Sequence, residues 1–140
     1  MSDVQKTEDR SRVAGQSKKT VWAGRIIGGI PALMLIAGGL NSFTKSPQVI
    51  EGLKHLAYPE HLLVPIGLLE IACVVLYLIP RTSLFGAILL TGYFGGATAS
   101  HVRVEEPVFV VPIVFGVLVW VGLFLRDPRW RSLLFRQDIL

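Results

Sequence analysis

Long apolar runs separated by short polar breaks dominate the chain from about Val21 onward. Four of these runs, wound as helices, are each about long enough to cross a bilayer core. They extend from about Val21 to Phe43, Glu60 to Ile79, Leu84 to Ser100 and Val108 to Leu125. A soluble domain interleaves charge with apolar residues so that every element keeps a wet face. These runs do not, so lipid is the expected solvent. The pattern predicts an all-α membrane protein, a four-transmembrane-helix bundle with short amphipathic interfacial helices.

The breaks carry local signals. Pro31 falls inside the first run and predicts a kink there. Pro59 suits the first turn of the second run. Pro80-Arg81-Thr82-Ser83 reads as a tight polar turn in which Thr82 or Ser83 caps the next helix. Pro112 lies near the start of the fourth run, which is therefore expected to begin earlier and bend. Between the first two runs, Ser46-Pro47 starts a helix whose Val49, Ile50, Leu53, Leu56 and Ala57 share one face. That segment, Pro47 to Tyr58, is expected to lie on the outer membrane surface. After the fourth run, arginines alternate with Trp130, Leu133, Leu134 and Phe135, a pattern suited to the cytoplasmic headgroups.

Charge sets the orientation. Lys6, Arg10, Arg12, Lys18, Lys19, Arg25, Arg81, Arg126, Arg129, Arg131 and Arg136 fall on one side of the spans; only Lys45, Lys54 and Arg103 fall on the other. The excess predicts that both termini and the Pro80–Ser83 turn are cytoplasmic. Residues 1–20 are polar and lack an apolar core, so they read as a disordered cytoplasmic tail rather than a signal peptide. Residues 21–126 form the transmembrane domain and 127–140 an interfacial tail. The net charge of +4 is spent flanking apolar spans, so no nucleic-acid partner is expected. Cys73 is the only cysteine, which excludes an intrachain disulfide.

Glu70 is the residue most worth explaining, because an ionised carboxylate is expensive in the middle of a span. Three- and four-residue spacing puts it on one face with Leu63, Ile66, Gly67, Cys73, Val74 and Tyr77. It reads either as a proton-carrying or ligand-binding group, or as a protonated carboxyl joining two helices. Equal steps from the Pro80–Ser83 turn place Tyr93 level with it. Gly86, Tyr93, Gly96, Ala97 and Ser100 share a small, mildly polar face expected to point into the bundle. Gly92/Gly96 and Gly24/Gly28 are small-residue pairs expected to pack closely. Asn41, Lys45, His101 and Arg103 fall at one level and form a candidate polar ring above Glu70. Glu51 and His55 stand at i and i+4, but the two-histidine zinc pattern is missing and no metal site is expected.

The stretch GLLEIACVVLYLIPRTSLFGAILLTGYFGGATASHVR joins a mid-span Glu, a Pro-Arg-Thr turn, a glycine-rich span and a terminal His-x-Arg. With WAGRIIGGIPALML before it and VWVGLFLRDPRWR after it, it resembles the DoxX-like family of small bacterial membrane proteins. The resemblance implies a four-helix membrane bundle. The wider group is named for membrane subunits of a thiosulfate:quinone oxidoreductase, and most DoxX-like members have no assigned chemistry. No catalytic motif is carried over.

The leading expectation is an accessory or non-catalytic membrane protein with no cofactor of its own. A second is a membrane subunit of a quinone-linked oxidoreductase, with Glu70, Tyr93 or His101 handling protons and a partner subunit supplying electrons. A third is a small-solute transporter, against which stands the lack of paired broken helices in a repeat. Four short helices suggest that a second copy is needed to enclose a large pocket.

Overall fold

The computed structural model describes residues 2–14 and 17–134, and among them the chain forms helices and no strand. Helix α1 spans Asp3–Ala14, within the stretch read from the sequence as a tail. Its opening turn is closed by the Thr7 hydroxyl, which donates to the Asp3 carbonyl at 2.7 Å. Helix α2, Lys18–Thr44, starts at Ser17, whose side chain accepts from the Lys19 N–H at 3.2 Å. Pro31 lies inside it and is buried. The helix stops at Lys45, which takes a left-handed φ of 48°.

Helix α3, Pro47–His55, follows with Pro47 in its first turn. Its nine residues are too few to cross a bilayer, and none of them is buried. A 3₁₀ turn at Glu60–Leu62 leads into α4, Leu63–Leu78. Helix α5 is Ser83–Arg103. A second 3₁₀ turn, Pro107–Phe109, opens α6, Val110–Arg126, so the fourth apolar run does begin before Pro112. Helix α7, Pro128–Leu134, ends the described chain; Phe135 and Arg136 lie outside the described residues.

Three stretches, Lys18–Thr44, Glu60–Leu78 and Pro107–Arg126, are long and apolar enough to cross a membrane. Helix α5 has 21 residues, but its glycines, hydroxyls and His101 dilute its apolar character. It nonetheless stands in the same ring. The long helices touch in the cyclic order α2, α4, α5, α6 and back to α2. Leu33, Met34, Leu68, Phe85 and Val117 face outward from this ring and are exposed, which in a membrane means facing lipid. Inside it, Val74, Tyr77, Leu90, Val119 and Leu123 are fully buried. Lipid is as apolar as these side chains, so close packing and internal hydrogen bonds hold the ring together rather than escape from water.

Glycines set the closest approach. A Cβ on Gly24 would stand 2.5 Å from the Arg126 backbone nitrogen, and one on Gly28 2.4 Å from the Tyr77 hydroxyl. The expected tight pair on α2 is thus real. The pair on α5 is different. A Cβ on Gly92 or Gly96 would meet nothing within 4 Å. Those two glycines border open space instead of a neighbouring backbone, because α4 presents the side chains of Leu69, Glu70 and Cys73 across that space.

The α4–α5 turn also departs from expectation. Thr82 precedes α5, but its hydroxyl turns back and donates to the Leu76 carbonyl at 2.8 Å, while Ser83 donates to the Pro80 carbonyl at 3.1 Å. Neither caps α5. Hydroxyl protons go where acceptors are orphaned, and the last carbonyls of α4 are such acceptors. At the same end of the ring, Arg126 donates to the Tyr77 carbonyl and lies 4.2 Å from the centre of the Tyr77 ring. The Tyr77 hydroxyl donates to the Val119 carbonyl at 2.8 Å, and the Trp130 indole donates to the Ser83 hydroxyl at 3.0 Å.

Candidate functional site

Glu70 lies midway along α4 and is 7% exposed. The face it occupies is the one its spacing implies: Leu63, Gly67, Cys73, Val74 and Tyr77 are buried with it, and Ile66 is half-buried. Two helices meet its carboxyl. From α2 comes Gly38, where a Cβ would stand 3.2 Å from Glu70 Oε1. From α5 comes Tyr93, which lines the same cavity as the carboxyl. Tyr93 packs edge-on against Phe94, with ring centres 5.8 Å apart. Glu70 and Tyr93, expected at one level from equal steps about the turn, line one cavity.

This trio lines a cavity of about 780 Å³. That is within the usual range for a site that takes a small organic molecule. The walls are mostly apolar, with Ile66, Leu69 and Leu89 beside the glycines of α5. Leu69, Leu89 and Gly92 are exposed, so the cavity opens sideways between α4 and α5. One end of the cavity is covered by Val49 and Leu53 of α3, with Leu56 and Tyr58 just after it.

The candidate polar ring is only partly assembled around this space. Asn41 and His101 line the cavity, with Ser42 and Ser100. Asn41 Oδ1 also accepts from the Thr44 hydroxyl at 3.2 Å. Lys45 is exposed and Arg103 is exposed. The Arg103 guanidinium turns away to the Leu56 carbonyl and lies 5.6 Å from the centre of the Tyr58 ring. Tyr58 in turn shares a 2.8 Å hydrogen bond with the Ser100 hydroxyl.

Sequence reasoning missed Glu106. Its carboxylate bridges two helices: Oε1 is 2.7 Å from His55 Nε2 on α3, and Oε2 is 2.7 Å from His101 Nδ1 on α5. The hydrogen bond from His101, helped by His55, holds the Glu106 carboxyl below its ordinary value of 4.5. His55 thus pairs with Glu106 rather than with Glu51 one turn before it. Among the described residues no group of three or more His, Cys, Asp or Glu could hold a metal ion. In this cluster one ring nitrogen of each histidine is committed to its own carboxylate oxygen.

A family model described as the DoxX-like family matches residues 26–122. The matched stretch runs from within the first half of α2 to near the end of α6 and contains Gly38, Glu70, Tyr93, His101 and Glu106. No curated protein and no solved structure matches the chain.

Proposed function

The chain belongs to the DoxX-like family and is a membrane protein, and from that premise we propose that it binds a lipid-soluble, hydrogen-bonding molecule between its helices. On this reading the protein is accessory and non-catalytic by itself. All four long helices cross a bacterial inner membrane, with both termini cytoplasmic. One observation carries the proposal: a mostly apolar cavity, open sideways between α4 and α5, with one carboxyl and one phenol among its lining groups. Only a ligand that dissolves in lipid profits from a side entrance, and only one with carbonyl or hydroxyl groups profits from Glu70 and Tyr93.

A quinone has both properties, and the same observation supports a second reading, in which the protein is a membrane subunit of a quinone-linked oxidoreductase. Glu70 and Tyr93 would hold the quinone oxygen and pass its protons. Electrons would come from a partner subunit that carries a redox centre.

The test is direct. The protein in lipid nanodiscs is titrated with a short-chain ubiquinone and a short-chain menaquinone, and bound ligand is followed by quenching of the intrinsic tryptophans. Saturable binding that weakens about 10-fold or more in Glu70→Leu and Tyr93→Phe supports the site, since a buried hydrogen bond left unmade costs about 1–3 kcal/mol. Binding that both variants leave unchanged overturns it.

A further inference from the structure

Helix α3 covers the end of the cavity yet is poorly anchored by packing. None of its nine residues is buried, and Val49, Ile50 and Leu53 are only half-buried. Its two connections are unusual. Lys45, just before it, has φ 48°, and Ala57, just after it, has φ 59°. Neither is glycine, and the left-handed region is costly for side-chain-bearing residues. Backbone held in such a region persists only where surrounding contacts enforce it. A third such residue, Glu105 at φ 58°, stands next to Glu106. Strain is thus concentrated at both ends of α3 and at the loop that grips it.

The grip is polar. Arg103 holds the Leu56 carbonyl, and Tyr58 bonds Ser100; both fasten the segment just after the helix. The last turn of α3 is fastened by His55 to Glu106, and Glu106 is fastened by His101 to α5. Other charged groups stand on the adjoining segments: Lys45 at the end of α2, Glu51 and Lys54 on α3, Glu60 and His61 before α4, and Arg103 and Glu105 just before Glu106 in the chain. The two histidines are the groups whose charges and hydrogen bonds act on the Glu106 carboxyl. Histidine is also the side chain that changes charge in the neutral range.

We propose that His55, Glu106 and His101 form a pH-sensitive clasp that closes α3 as a lid over the cavity. The inference rests on the cavity reading above and assigns its regulation. With both histidines charged and Glu106 ionised, each contact is a charge-assisted hydrogen bond, which is about twice as strong as a neutral one. Removing the proton from either histidine takes that assistance away and loosens the lid. Far below neutrality Glu106 takes up a proton and the lid loosens again. Because the carboxyl is held low, the closed window extends below the ordinary carboxylate value of 4.5.

The lid itself is measured without any ligand. Spin labels are placed at Gln48 on α3 and Ala99 on α5 in a Cys73→Ser background, and their distance distribution is recorded in nanodiscs at pH 6 and pH 9. The proposal expects the population with α3 displaced to grow about 2- to 10-fold at pH 9. Glu106→Gln should show the displaced population at both pH values, and so should His55→Gln, which guards against one variant misfolding. A distribution that does not change with pH overturns the clasp while leaving the cavity reading intact. A lid that moves with pH in a protein that binds no quinone overturns the cavity reading alone.

Discussion

Gly122 of α6 and Gly28 of α2 meet backbone to backbone: a Cβ built on Gly122 would stand 2.5 Å from the Gly28 Cα and 2.6 Å from its nitrogen. No side-chain rotation relieves a clash with backbone, so the two helices must move apart. Gly122→Ala should lower stability by about 1–3 kcal/mol, the usual range for overpacking. Gly92→Ala, with open space around it, should change stability by no more than about 0.5 kcal/mol. Denaturation in mixed detergent micelles, followed by helical circular dichroism, checks both. Equal effects at the two positions would contradict the packing described.

Glu70→Gln should leave the bundle intact, because the amide still offers Tyr93 a hydrogen-bonding partner. Glu70→Leu should cost about 1 kcal/mol of helix association, the size of an interhelical polar contact in a membrane. The same unfolding measurement decides. A Leu variant as stable as the wild type would mean that the Glu70–Tyr93 contact contributes nothing to holding α4 against α5.

Asp127 joins α6 to α7. Desolvation pushes its carboxyl up, but hydrogen bonds from the Arg129 side chain and backbone, with the Arg129 and Arg126 charges, outweigh this and hold it below 3.8. A depressed carboxyl contributes stability that is present above its ordinary value and lost as pH falls through the lower folded value. Docking of α7 should therefore persist at pH 5 and fail only in strong acid. Asp127→Ala should weaken it at neutral pH by about 1 kcal/mol, as loss of a helix-start acceptor does. The fluorine resonance of a fluorotryptophan at position 130 reports the docking. A variant whose resonance does not shift would refute the role.

Membrane orientation is checked with single cysteines in a Cys73→Ser background and an impermeant thiol reagent on intact cells. The Lys and Arg asymmetry predicts labelling at Gln48 and none at Ser17. The reverse pattern would invert the topology.

Hydropathy alone located the long helices to within a few residues, because a helix without a wet face leaves little choice of boundary. Three- and four-residue spacing likewise identified the buried face of α4, since one helix's geometry fixes which residues share a side. Relations between helices were harder to read. Gly24/Gly28 and Gly92/Gly96 have identical spacing, yet one pair touches backbone and the other borders a cavity. What separates them is the size of the residues opposite, which no local pattern states. Glu106 left no signal either. It sits in a loop without periodicity, and while His101 is five residues before it, His55 comes from a helix distant in the chain. The turn at Thr82 misled because a hydroxyl beside two helix ends can serve either one.

The contact between α2 and α6 also bears on how the chain comes together during synthesis. Helix α2 emerges well before α6, so its Gly24–Gly28 notch has to wait in the bilayer without the backbone that later fills it. In that interval the notch is open to lipid or to any other small-residue helix nearby. Release of α6 closes the ring, and the Trp130–Ser83 bond then ties the following helix to a turn made much earlier. Insertion factors that shield α2 until α6 arrives would raise the yield of correctly assembled protein, and a chain cut before Gly122 would leave that surface permanently uncovered.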